Sequence, residues 1–297
     1  MVDAALCMLT LISGPDGGRA LHAVSPELAS LFKTQADWLA DGIACDLLIH
    51  MEGGPHALKA ARALIGDAPI DAVIQPAAGR RKRLLVADMD STVIEQECID
   101  EMAAVAGVGA QVAAITEAAM RGELDFEAAL IERINMIRGF PVAGLQDILD
   151  NCITLTPGAA ELTATMRAHG ARCILVSGGF TFFTDTIAKR AGFDASHGNT
   201  LVISDGTVAG VKQPILGREY KLEALRAEAD KMGVDIADTM AVGDGANDLA
   251  MLGSAGLGVA FKAKDVVARA AAARIDHGDL TALLYIQGYK RIDFRKS

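Results

Sequence analysis

Three short segments hold the residue types that could do chemistry: Asp88-Met89-Asp90-Ser91-Thr92, Ser177-Gly178-Gly179 and Gly243-Asp244-Gly245-Ala246-Asn247-Asp248. Each follows an apolar run: Leu84–Ala87, Cys173–Val176 and Thr239–Val242. Such runs read as buried strands of a parallel sheet, and an open parallel sheet binds ligands beyond the carboxyl ends of its strands. Asp88 and Asp90 can converge on one site only if something offsets their repulsion. A hard divalent cation does so, and Mg²⁺ favours a few carboxylates together with waters and phosphate oxygens. Asp244 and Asp248 would complete the acidic cluster. A lone Asp-x-Asp more often caps a helix or turns the chain, but the three segments together point to a phosphate and metal site. Glycine at 178 and 179 lets backbone N–H groups approach phosphoryl oxygens closely, with a helix expected from Phe180.

The elements that must position these residues follow from the apolar pattern. From Leu84 onward strands alternate with helices, the rhythm of a parallel sheet with helical crossovers, and Gly256–Ala260 is a fourth strand candidate. A helical insert runs from about Ile99 to Asn151, punctuated by Gly107, Gly122 and Gly139, with Asp125 capping a helix over Phe126–Ile137. Residues 1 to about 75 read as a small α/β unit. Its expected strands are Leu6–Ile12, Cys45–Met51 and Ile70–Ile74; its helices are Ser25–Phe32, capped by Ser25, and a second from Gly54-Pro55 through Leu64. Pro76-Ala77-Ala78-Gly79 and the basic run Arg80-Arg81-Lys82-Arg83 mark a linker, the run being read as solvated.

Composition narrows the function. The chain has 297 residues, enough for two unequal domains, and 51% of them are hydrophobic. A net charge of -10 is opposite to what a general polyanion binder needs, so nucleic acid is not an expected partner. The five cysteines form no Cys-x-x-Cys pair, which fits a reducing cytoplasm. No membrane span is expected: the stretch Met102–Thr116 is too short, and Ala4–Ile12 lacks the basic flank of a signal peptide.

The Asp-x-Asp-Ser-Thr, Ser-Gly-Gly, Lys221 and Gly-Asp-Gly-x-Asn-Asp series resembles the haloacid dehalogenase superfamily. Within it, Leu84 to Leu284 is similar to the phosphoserine phosphatase family. The resemblance implies an α/β Rossmann-like parallel sheet with a helical cap insert (about 99–151). This catalytic domain would span 84–297, after a linker at 77–83. An ACT-like, ferredoxin-type α+β domain would occupy 1–76, binding an amino acid such as serine or pairing two copies of the chain. It implies Asp88 as nucleophile and Asp90 as general acid/base, with Mg²⁺ held by Asp88, Asp90 (through its backbone carbonyl) and Asp244, and Asp248 in support. Ser177, Gly178, Lys221 and Asn247 would bind phosphoryl oxygens.

The substrate implied is phosphoserine, which carries a carboxylate and an ammonium beside its phosphate. A selective site therefore wants one cation and one anion. By the same resemblance Glu97 meets the ammonium, Arg133 the carboxylate, and Met120 and Phe126 line the lid. A planar guanidinium suits bidentate carboxylate recognition. The expected reaction is hydrolysis to serine and phosphate through an aspartyl-phosphate, the last step of serine biosynthesis. Two other readings stay open: a broader phosphomonoesterase or phosphotransferase, and an amino-acid sensor whose phosphatase domain is spent.

Overall fold

The computed structural model describes residues 6–50 and 54–296. The N-terminal unit runs β1 (Leu6–Ser13), α1 (Gly18–Leu31), β2 (Ala36–Ala40), β3 (Ala44–His50), α2 (Gly54–Ile65) and β4 (Ile70–Pro76). Its antiparallel sheet has the order β2-β3-β1-β4, a β-α-β-β-α-β arrangement of the ferredoxin type. Strand periodicity sets the two faces. Cys7, Leu9, Leu11, Cys45, Leu47 and Ile49 pack with Leu21 and Leu28 of α1, while Ile12 and Val73 join the core of the larger unit.

Two expectations for this unit change. Ser25 caps nothing: α1 begins at Gly18 and continues through Pro26, with Ser25 buried inside it. A Ser-Pro pair reads as N-cap and first helical residue, but burial of Leu21 and Leu28 on one face carries the helix across the proline. The short strand β2, with its Asp and Trp, had no clear alternation to reveal it. Met51, at the end of the expected strand Cys45–Met51, lies outside the described residues.

The larger unit runs β5 (Leu84–Ala87), α3 (Cys98–Val105), α4 (Gly109–Met120), α5 (Phe126–Met136), α6 (Val142–Asn151), α7 (Ala159–Ala168), β6 (Arg172–Phe180), α8 (Thr181–Ala191) and β7 (Ala195–Asn199). A hairpin, β8 (Leu201–Ser204) and β9 (Thr207–Val211), follows. The chain closes with α9 (Arg218–Met232), β10 (Thr239–Gly243), α10 (Leu249–Ser254), β11 (Leu257–Phe261), α11 (Asp265–Ala270), β12 (Ala273–Ile275) and α12 (Ala282–Ile286). The six-stranded sheet has the order β12-β11-β10-β5-β6-β7, and its strand pairs are parallel. Helices cover both faces: Leu85 and Ala87 of β5 enter one core, Leu84 and Val86 the other. Strand β11 sits one residue later than expected, and the helix after Ser-Gly-Gly starts at Thr181 because β6 extends through Phe180.

Helices α3–α6 form the cap. The unforeseen hairpin ties it down, since Gly139 N–H donates to Val208 O (2.8 Å) and Val208 N–H to Phe140 O (2.8 Å). The basic run is also not a solvated linker throughout. Arg80 bridges the two units, pairing with Asp46 at 2.7 Å and donating to the carbonyls of Tyr285 and Ile286. Lys82 is buried, with its ammonium on the carbonyls of Gly79 and Ala237; Arg81 and Arg83 remain exposed. A charge run looks solvated when its partner, here a buried aspartate 34 residues earlier, is invisible in the local pattern. Asp71 adds to this junction by accepting from the N–H groups of Asp276, His277 and Gly278. Among the described residues, no helix is long and apolar enough to cross a membrane.

Candidate active site

Strands β5, β6 and β10 are neighbours, so their carboxyl ends bring the three chemical segments to one point. Past β5 the chain kinks sharply, with Asp90 extended (φ -65°, ψ 137°) and Ser91 left-handed (φ 54°). That local strain is typical of functional turns. It turns Asp88 toward β10 and Asp90 toward β6.

Asp88 Oδ1 lies 2.7 Å from Nζ of Lys221, which comes from the first turn of α9 and is 1% exposed. The same ammonium meets Asp248 Oδ1 at 2.7 Å. The other oxygen of Asp248 accepts from the N–H groups of Asp244 (3.2 Å) and Gly245 (3.1 Å). Asp244 Oδ1 accepts from the Thr92 hydroxyl at 2.9 Å. Asp90 is held separately, Oδ1 by the Cys98 N–H (2.8 Å) and Oδ2 by the Ser177 hydroxyl (3.0 Å). Ser177 Oγ in turn accepts from Gly179 N–H at 2.8 Å.

Asp88, Asp244 and Asp248 each offer a carboxylate oxygen within 4.8 Å of the others. The donor chemistry fits a hard cation, with a division of labour. Both oxygens of Asp248 are taken by hydrogen bonds, whereas Oδ2 of Asp88 and of Asp244 has no hydrogen-bond donor among the described residues. Asn247 Oδ1 is likewise buried without a hydrogen-bond partner among the described residues.

Electrostatics point the same way. Burial, then the neighbouring Asp248, push the Asp88 carboxyl well above the ordinary range, and Lys221 only partly offsets this. Burial and Asp248 raise Asp244 to about 7. Glu97 is also raised, by burial and then by Asp90 and Asp244. Burial alone would lower the Lys221 ammonium, but Asp248 and Asp88 outweigh it and hold it above its usual value. Acids rise together in this way when negative charge exceeds its compensation, and a divalent ion is the compensation that suits oxygen ligands.

The cap closes over this floor. A cavity of about 30 Å³, room for roughly two waters, is lined by Asp88, Asp90, Glu97, Met120, Phe126 and Arg133, and also by Gly178 and Asn247. Outside it lies a groove of about 510 Å³ that shares Phe126 and Asn247 with the cavity. The Phe126 ring separates the two and rests on Gly178, where a Cβ would lie 2.4 Å from the ring tip. Only glycine permits that contact. Met120 sits equally close over Gly245. Glu97 accepts from the Ser91 hydroxyl at 2.6 Å. Arg133, buried, donates from Nε to Ala129 O and from Nη1 to Thr116 Oγ1, each at 3.0 Å.

Every expected site residue therefore falls in or directly behind one cavity: Ser177, Lys221, Asp244 and Asp248 stand behind it, bonded to residues of the floor. Sequence reasoning passed over Ser91 and Thr92, although both lie inside the first motif. It also passed over Thr116 and over Asn199, whose Nδ2 donates to Gly178 O at 2.8 Å. Neither of those two has a local signal.

Residues 85–253 match the family of haloacid dehalogenase-like hydrolases. The chain belongs to that family. Its relatives narrow the class further. Phosphoserine phosphatase SerB2 of Mycobacterium tuberculosis is 45% identical over 215 residues, 72% of this chain and 52% of that protein. Phosphoserine phosphatase of Haemophilus influenzae is 46% identical over 202 residues, 68% and 64% of the two chains. The matches thus span about half to two-thirds of these relatives' lengths. Over nearly the whole chain, the fold is similar to a HAD family hydrolase from Salmonella enterica serovar Typhi, with a TM-score of 0.83 and 31% identity, covering 95% of this chain and 98% of that one.

Proposed function

We propose that this chain is a Mg²⁺-dependent phosphatase that hydrolyses O-phospho-L-serine to L-serine and phosphate. The observation that carries the substrate is a pair of opposite charges on one small cavity. Glu97 and Arg133 both line it beside Asp88, yet each is held by other groups rather than by the other. A ligand with an ammonium and a carboxylate flanking a phosphate matches those charges and enters when the cap opens, since the closed cavity holds only about two waters; both relatives above bear the name of such an enzyme.

In this reading Asp88 is the nucleophile. Its carboxylate attacks phosphorus, the bond to the seryl oxygen breaks, and Asp90 gives its proton to that oxygen. Water then attacks the aspartyl-phosphate while Asp90 takes the proton back, and phosphate leaves with Asp88 restored. Lys221, Ser177, the Gly178 N–H and Asn247 hold the phosphoryl oxygens. Asp88, Asp244 and the Asp90 carbonyl, with Asp248 in support, would hold Mg²⁺, whose charge would offset that of the phosphate so that one anion could approach another. Met120 and Phe126 keep water from the site.

The same reading places the protein in the cytoplasm, in the last step of serine biosynthesis. It assigns residues 1–76 to serine binding or to the pairing of two copies. Phosphate release from O-phospho-L-serine, phosphothreonine and p-nitrophenyl phosphate, with and without Mg²⁺, tests the core of it. A strong Mg²⁺-dependent preference for phosphoserine is expected. Equal rates on all three would leave a broad phosphomonoesterase, and no release from any would leave an amino-acid sensor.

A further inference from the structure

Arg133 is fixed by a chain of contacts that crosses three cap helices. Its Nε is tied to the carbonyl of Ala129, one turn back on α5. Its Nη1 donates to Thr116 Oγ1 on α4 (3.0 Å), and the Thr116 hydroxyl lies 2.6 Å from Asp100 Oδ1 on α3. Val112 O, at 3.0 Å, is the competing acceptor within α4. The carboxylate is closer and charged, so it takes the single hydroxyl proton. The lone pairs of Oγ1 are then left for the guanidinium, which can only donate. Nη2 has no protein acceptor among the described residues, and Arg133 lines the cavity with Glu97 and Asp90.

Asp100 and Glu97 both attract Arg133. A guanidinium free to turn would collapse onto one of them and present a neutral pair to the substrate. Thr116 blocks the turn toward Asp100. It is buried, and its hydroxyl stands between the guanidinium and the Asp100 carboxylate.

We infer that Thr116, anchored by Asp100, is a positioning residue for substrate selection, holding the free edge of Arg133 toward the carboxylate of the substrate. This rests on the phosphoserine reading above. A guanidinium swung out of line loses one charge-assisted hydrogen bond in part, which corresponds to a rise of about 5- to 20-fold in KM with kcat within about threefold.

The test compares kcat/KM for O-phospho-L-serine and for phosphoethanolamine, which keeps the ammonium and phosphate but lacks the carboxylate. It uses the full chain, its Thr116→Val and Thr116→Ser variants, and Asp100→Ala. The wild-type ratio should strongly favour phosphoserine. Thr116→Val should lower that ratio about 5- to 20-fold, Thr116→Ser should preserve it, and Asp100→Ala should lower it by a smaller factor. A parallel loss on both substrates, or an unchanged ratio in Thr116→Val, would overturn the inference by showing a purely structural residue. If Thr116→Val does not fold, an unchanged ratio in Asp100→Ala overturns it instead. A wild-type protein with no preference would end the phosphoserine reading itself, and this appears before any variant is made.

Discussion

The two sides of the active site are built on different principles. On the floor, Asp88, Asp90, Lys221, Asp244 and Asp248 sit at strand ends or against them, and each carboxylate is fixed by one or more named donors. The roof is made of helical side chains, where Glu97, Met120, Phe126 and Arg133 come from or beside α3–α5. The floor is a surplus of negative charge around one ammonium; the roof is apolar surface with one anion and one cation. Chemistry needs fixed geometry to within a fraction of an ångström, and strand ends supply it. Selection needs complementary groups that can close and reopen, and a cap supplies those. The hairpin holds the far side of the cap by backbone hydrogen bonds at Gly139 and Phe140. Between Met120 and Phe126 the Phe126 ring rests on Gly178, the Met120 sulfur on Gly245, and Gly122 lies against the Ala246 methyl.

If the floor is as charge-strained as this, the largest effect should come from removing its nucleophile. Asp88→Asn should lower turnover on every substrate by more than about 10⁴-fold. Its thermal midpoint without Mg²⁺ should nevertheless stay level or rise, because one excess charge is gone from the cluster. A lower midpoint would mean that Asp88 pairs with Lys221 as an ordinary structural ion pair, and the contrast between floor and roof would weaken.

On the roof, Arg133→Ala should act by substrate. Loss of a charged hydrogen bond of about 1.5–3 kcal/mol predicts a drop of about 10- to 150-fold in kcat/KM for phosphoserine. Turnover of p-nitrophenyl phosphate, which has no carboxylate, should change little. Equal losses on both substrates would place Arg133 in the catalytic floor.

Asp244 lets pH separate the two sides. Burial, then Asp248, raise its folded carboxyl to about 7, against about 3.9 unfolded. Between those values the folded protein binds more protons than the unfolded one, so its stability falls as pH rises. The metal-free protein should therefore lose stability from about pH 4 to pH 7. Mg²⁺ favours the ionised carboxylate and should restore more of it at pH 8 than at pH 5.5, on the order of 2–3 kcal/mol at a hundredfold excess over Kd. Thermal denaturation at the two pH values, with and without Mg²⁺, reads this directly. An equal Mg²⁺ effect at both would show that Asp244 is not a group whose proton the metal displaces.

Floor and roof also differ in how far they can be read from residues alone. Asp88, Asp90, Ser177 and Asp244 are legible because an apolar strand and its terminal carboxylate or hydroxyl are contiguous in the chain. Lys221, Glu97 and Arg133 are not: each looks like an ordinary charge on a helix, and only family resemblance singles it out. Thr116 has no signal at all, since its use depends on α3 and α5 arriving on either side. Arg80 looks solvated in the sequence for a related reason. Its partner Asp46 is a buried strand residue, and burial of a charge is decided by tertiary packing. Ser25 and Pro26 imitate a helix start so well that only the apolar face of α1 reveals the true one.

The smallest expected effect lies at the point where the roof begins. Asp125 accepts from the Ala128 N–H at 2.9 Å and caps α5 directly before Phe126. Asp125→Ala should cost about 1 kcal/mol, a shift of roughly 1.5–2 °C in the thermal midpoint of a chain this size. Fraying of that first turn loosens the Phe126 ring from Gly178 without touching any group of the floor. The expected kinetic signature is a modest rise in KM for phosphoserine with turnover of the bound substrate almost unchanged. A fall in kcat as large as the rise in KM would show instead that the cap helix helps to align the floor. The two sides of the site would then have to be treated as one rigid unit.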